Sequence, residues 1–232
     1  MPAPAVVQAC GASGNSGASL PLTAAFPSNV TPGNLIVVYF GGAANRTFTI
    51  SDGTNNYEQD IYQGPREAIG IAACPFIFLG QGGSQAVTMS ITQSGANTAA
   101  AFIAEEWTGL GYAAQVPPGT ATAAATNSGA SSVTTGTGGT TTTIPFAGML
   151  ALSCLATAGD PGTTTTMSVA SPFTASTSSP QRNATIGIAA GWWITTSNAA
   201  VTATFNWTNA LQYGGATAIY FPTWSAGVGW TT

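Results

Sequence analysis

The chain has 232 residues, with three arginines, seven acids, no histidine and a formal net charge of −4. Only 4% of it is charged, against about a quarter in a typical globular chain. That excludes phosphate or nucleic-acid recognition by clustered cations and a polybasic membrane patch. Without histidine, Ser–His–Asp, Cys–His and Cys/His zinc chemistry are also excluded.

The N-terminus, MPAPAVVQACGASGNSG, has neither a basic n-region nor a long apolar h-region. It reads as a chain made and assembled in a cytosol, or as one whose leader has been removed. LIVVYFGG (35–42) is a continuous apolar run, as expected of a strand buried on both faces. TFTISD (47–52) alternates and stops at the turn cluster DGTNN. AIGIAACPFIFLG (68–80) is a long strand with Pro75 marking an edge or bulge. AVTMSIT (86–92) alternates, and TAAAFIAEEW (98–107) closes the group.

Residues 113–139 are rich in Ser, Thr, Gly and Ala and read as a connection with one edge strand. The earlier phrases then return in the same order. FAGMLALSCLATAG (146–159) parallels PGNLIVVYFGG, and TMSVAS (166–171) parallels TFTISD. ATIGIAAGWWIT (184–195) repeats IGIAA, AVTATFNW (200–207) parallels AVTMSIT, and GGATAIYF (214–221) parallels NTAAAFIAEEW. The offset is roughly 114 to 119 residues.

Thr and Val favour strands, while Gly and Pro interrupt helices, so the class is all-β. Five strands written twice predict one antiparallel β-sandwich of about ten strands, jelly-roll-like, built from two sequence-related halves. Its parts are a first repeat at 33–107, the 113–139 connection, a second repeat at 147–221 and a C-terminal arm at 222–232. Two side-by-side five-stranded domains are the alternative. The acids are not repeated; Arg66 and Arg182 are, and read as strand-start cations.

Few residue patterns in the chain offer chemistry. With no lysine there is no phosphate-binding GxxxxGK[ST] loop. Glu105 and Glu106 are adjacent on a strand, so they point to opposite faces and do not flank one glycosidic bond. No catalytic residue is expected. Asp52, Asn55, Asn56, Glu58 and Asp60 gather hard oxygen donors suited to calcium, against the simpler reading of an Asx-rich turn. No other cofactor is expected. Cys74 and Cys154 read as buried thiols, with a bridge between them as the alternative; the state of Cys10 stays open. Of the adjacent Trp192 and Trp193, one should face the core and the other should not. Trp193, Trp224 and Trp230 are the candidate partner-binding residues, the last two on a glycine-rich arm.

VTPGNLIVVYFGG, ISDGTNNYEQ, AVTMSIT and AFIAEEWTGL together resemble a β-sandwich module of phage virion proteins and bacterial extracellular, adhesive proteins. Gly33, Asn34, Leu35, Asp52, Asn56, Tyr57, Glu105, Glu106 and Trp107 carry the resemblance. The glycine that the module places before the turn asparagine is here Asn55. The likeness covers residues 20 to 112 and reaches the second half only through the repeat. It implies a jelly-roll-like fold, a structural or adhesive role and no catalytic residues. The expectation is a homo-oligomeric virion structural protein, a capsid decoration or tail-associated subunit assembled in the host cytoplasm with other virion proteins. The alternative is an extracellular module that binds surface glycans.

Overall fold

The structure is a computed structural model that describes residues 3–14, 21–43, 47–55, 57–63, 67–75, 87–94, 99–115, 130–135, 147–159, 167–198 and 201–222. The first half supplies β1 (Ala5–Gly14), β2 (Leu22–Ala25), β3 (Leu35–Ala43), β4 (Phe48–Ser51), β5 (Glu58–Gln63), β6 (Glu67–Pro75), β7 (Thr88–Gln93) and β8 (Ala100–Thr108). The second half supplies β9 (Leu110–Gln115), β10 (Ala130–Thr135), β11 (Leu150–Ala158), β12 (Ser168–Val169), β13 (Thr174–Ala175), β14 (Gln181–Arg182), β15 (Ile186–Ile194) and β16 (Ala203–Pro222). There is no helix among the described residues, and every described ladder is antiparallel.

In the first half, a five-stranded sheet β1-β8-β3-β6-β5 carries a three-stranded sheet β2-β7-β4 on one face. The second half follows the same plan. The long β16 pairs β10 and β12 along its start and β11 and β9 along its end. It therefore does the work of both β7 and β8. β15 lies beyond β11 as β6 lies beyond β3, with β13 and β14 at its outer edge as β5 is at the edge of β6.

The strands thus make four layers, where a single ten-stranded sandwich would make two. The physical reason lies in the central strands. Leu35, Ile36, Val37, Val38, Tyr39 and Phe40 are all at most 1% exposed. Alternate residues of β3 enter different cores: Ile36, Val38 and Phe40 face the three-stranded sheet, and Leu35, Val37 and Tyr39 face the other half. β11 does the same, with Leu150, Leu152, Cys154 and Ala156 on the shared core and Ala151 and Leu155 on the outer one, which Met149, just before the strand, also enters. A strand apolar on both faces needs cover on both faces. The two large sheets supply it to each other, while the small outer sheets keep alternating patterns and a wet face.

The halves can be aligned residue by residue. Gly33 and Gly148 open equivalent turns at φ 87° and 88°, a left-handed conformation that glycine adopts without steric cost. Leu35 and Leu150 then start equivalent strands. Gly41 opposes Ile69, and its counterpart Ala156 opposes Ile188. The two IGIAA phrases therefore occupy equivalent strands but are slid by two residues. An even slip keeps every side chain on its own face, which is why the fold tolerates it. Across the seam, Gly41 meets its own counterpart Ala156, and Tyr39 lies near its own counterpart Cys154. Contact between equivalent positions is the mark of an isologous, two-fold-like interface.

Candidate functional site

Among the described residues, the buried acids lie together at the end of β8, in the sequence AEEW (104–107). Glu105 and Glu106 are both 0% exposed. As alternation requires, they enter different cores.

Glu106 faces the first half's own core. Its Oε1 accepts from the Thr31 backbone N–H at 2.8 Å and the Asn34 side-chain amide at 2.5 Å. Its Oε2 accepts from the Gln8 amide at 2.6 Å. Gln8 in turn bonds the backbone of Ser28 through both ends of its amide. One carboxyl therefore ties β1, β8 and the 28–34 loop together. In the second half the Asn34 and Glu106 positions are held by Met149 and Ile219, both in an apolar core.

Glu105 faces the seam between the halves. Its Oε2 accepts from the Tyr39 hydroxyl at 2.9 Å and the Trp107 indole N–H at 3.1 Å. Trp107 stacks edge-on against Trp192 of the other half, with ring centroids 5.5 Å apart. Burial pushes the Glu105 carboxyl above its usual range, opposed by hydrogen bonding from the Ser176, Tyr39 and Trp107 side chains. Burial, then the neighbouring Glu105, holds the Tyr39 hydroxyl well above its ordinary value. Neither acid reaches solvent, and they do not converge on one point. The pair is built to hold strands together and offers no substrate an acid and a base.

The Asx turn is equally committed. Asp52 Oδ1 accepts from the Thr54 and Asn55 backbone N–H groups at 2.9 and 2.8 Å. Its Oδ2 accepts from the Asn55 amide and the Tyr57 hydroxyl at 2.7 and 2.8 Å. Two of the five calcium candidates are thus engaged with the turn itself, which favours the Asx-rich turn. Asn56 and the side chains of Glu58 and Asp60 lie outside the described residues, and no group of metal-ligating His, Cys, Asp or Glu occurs among the described ones. Asp52→Ala should lower stability by about 1–2 kcal/mol through the lost hydrogen bonds, read as a shift in the urea midpoint. Added calcium should leave the wild-type midpoint unchanged; a calcium-dependent rise would restore the metal reading.

Trp192 and Trp193 do not divide into one core and one surface residue. Both are partly buried, Trp192 against the seam and Trp193 against the second half's outer core, where it packs on Phe173 at 6.0 Å. Each face of β15 has a core of its own, so neighbouring side chains are both covered. Trp224 and Trp230 fall in 223–232, outside the described residues, as do Arg46 and Arg66. Arg182 sits on β14, where its carbonyl accepts from Ser13 Oγ at 2.9 Å and links β1 to the second half. Cys10 and Cys154 are buried thiols outside any disulfide, so Cys154 forms no bridge to Cys74. Burial pushes the Cys10 thiol up to about 12, far from thiolate reactivity.

The partners of Glu105 and Glu106 escaped sequence reasoning. A usable signal was present: two acids at the end of an otherwise apolar strand, with Asn34 at the start of the strand beside it. Comparison with protein-family models, curated proteins and solved structures finds no match to this chain.

Proposed function

We propose that the protein is a non-enzymatic virion structural subunit, a capsid decoration or tail-associated protein. It acts through contacts with its own copies and with other virion proteins, on a jelly-roll-like scaffold. The observation that supports this most is where the polar groups lie. The paired acids are consumed inside the molecule, while the outer sheets present exposed hydroxyls and amides: Thr23, Thr49, Ser51 and Thr88 on one side, Ser168, Asn206 and Thr208 on the other. Such faces repel copies of themselves only weakly. Contacts made by uncharged groups are also little affected by salt, because screening acts on charges.

Light scattering at low and high salt tests this. A homo-oligomer whose mass is the same in both supports the proposal; a salt-sensitive assembly argues against it. A glycan-binding extracellular module is the competing reading, favoured by the partly exposed face of Trp193. A monomer that binds a glycan array and loses binding in Trp193→Ala would establish it.

The arm supplies a second test. Each of Trp224 and Trp230 can remove up to about 150–250 Å² from water when buried against a neighbour, with part of that gain offset by ordering the arm. Deleting 223–232 is expected to weaken association about tenfold or more, the loss of about 1.4 kcal/mol or more of net binding, with the subunit's melting temperature unchanged. A truncated chain that assembles normally, or that no longer folds, places the arm in the core instead.

A further inference from the structure

Among the described residues, β1 is the longest strand at a sheet edge. It has ten residues, whereas the other edge strands have at most six. It ends the five-stranded sheet, and no described strand pairs with its outer side. β5, at the opposite edge of that sheet, carries Glu58 and Asp60 and a break in register. β1 (AVVQACGASG) carries no charge, and from Gln8 to Gly14 it keeps unbroken register with β8. Both of its faces are occupied: Cys10 enters the first half's core, and Ser13 bonds the Arg182 carbonyl across the seam. The edge between those faces presents backbone N–H and C=O groups that template a further strand, a pairing that proteins commonly prevent with short or charged edges. Val7, skipped by the register between Val6 and Gln8, stands 48% exposed at the start of this edge.

The chain carries a segment suited to such an edge. WSAGVGW (224–230) repeats WTGLGY (107–112) with one residue inserted. In the earlier phrase the chain turns at Gly109, φ 76°, and Leu110 opens β9, a strand added to the edge of β16. The ten residues 223–232 match β1 in length. Where they leave β16 decides which copy they serve. Pro222 pairs with Leu110, a β-carbon on Gly109 would lie 3.3 Å from Pro4 Cα, and Thr108 pairs with Ala5. The segment therefore departs beside the start of β1. Along its own β1 it would run parallel, whereas every described ladder is antiparallel, and parallel pairing is slightly less stable. To run antiparallel it would first have to reach the far end of β1, and crossing about 33 Å consumes the whole segment. A second copy has no such constraint.

We propose that residues 223–232 of a second copy add as an antiparallel strand to the outer edge of β1. This exchange rests on the homo-oligomeric reading above and gives it a surface. In strand addition the main-chain hydrogen bonds supply the affinity, and side chains at alternate positions supply the specificity. Val7 offers an apolar contact to Val228 or Trp230 of the incoming segment. Neither β1 nor 223–232 contains a charged side chain, so salt has little to screen.

Photo-crosslinking of the full chain tests it. Thr231→benzoylphenylalanine places a crosslinker on the segment and leaves both of its tryptophans in place. Irradiation of an equal mixture of unlabelled and nitrogen-labelled protein should join 223–232 to residues 5–14. Some of those products should pair one light with one heavy peptide, which only two copies can make. Products at 5–14 that are never mixed would place the segment on its own β1 and overturn the exchange. An oligomer crosslinked elsewhere would overturn this edge and leave the homo-oligomeric reading standing, whereas a chain that stays monomeric would overturn both. Val7→Lys sets a charge on the edge at an exposed position. It should weaken association about tenfold or more while the melting temperature of the subunit stays that of the wild type; undiminished association would count against β1 as the docking edge.

Discussion

Glu106→Ile is expected to lower the stability of the protein by about 2–4 kcal/mol, although it places an apolar residue in an apolar core. The change removes the acceptor of three donors. The Gln8 amide retains the Ser28 carbonyl, and the Thr31 N–H belongs to an exposed residue. Asn34 is only 8% exposed, and a buried donor left unpaired costs about 1–3 kcal/mol by itself. The second half shows the remedy, since it carries Met149 and Ile219 at these positions. Glu106→Ile combined with Asn34→Met should therefore recover most of the loss. Urea denaturation of the wild type, both single variants and the double variant forms the cycle. A coupling of at least about 1 kcal/mol is expected for residues in one network. Additive losses would mean that Asn34 is not the group Glu106 satisfies.

The same pair shows what could be read in the sequence and what could not. Binary patterning exposed the strands, because β3 is apolar at every position and β7 at every second one. The duplication was visible for a related reason: a strand covered on both faces admits few residue types, so LIVVYFGG and LALSCLATA both stay largely apolar, and the phrase IGIAA recurs after each. Stacking of the halves into four layers was less visible. Leu35 and Ile36 are equally apolar, and nothing in the pattern shows that they enter different cores. Register was hidden as well, since a two-residue slip of IGIAA changes no face and so leaves no trace in the alternation. The acids were misleading in the opposite sense. Glu105 and Glu106 invite a search for chemistry, whereas their roles depend on Tyr39, Ser176, Asn34 and Gln8, brought together from distant parts of the chain. The turn at Asp52 was the easiest feature, because its partners lie within five residues.

Gly41→Ala should be as damaging as a core truncation, although it adds only one methyl group. A β-carbon at Gly41 would lie 2.6 Å from the Ala156 β-carbon, with Ile186 and Ile188 Cδ1 at 3.9 Å. Neither partner of the close pair is a flexible side-chain end that could swing aside, so the two large sheets must move apart. Overpacking of this kind costs about 1–3 kcal/mol, and Gly41→Val should cost more. Gly41 and Ala156 are equivalent positions in the two halves, meeting where the halves cross. A two-fold-related pair of alanines is therefore too large for this crossing, and the chain resolves the conflict by making one member glycine. The assignment could equally run the other way. Ala156→Gly alone should leave a gap about one methyl in size and cost about 1 kcal/mol. Gly41→Ala together with Ala156→Gly transfers the methyl across the seam and should return the melting temperature close to that of the wild type. If Gly41→Ala proves neutral, the sheets do not approach this closely. If the double variant is no better than Gly41→Ala alone, the contact is not the one that limits the seam.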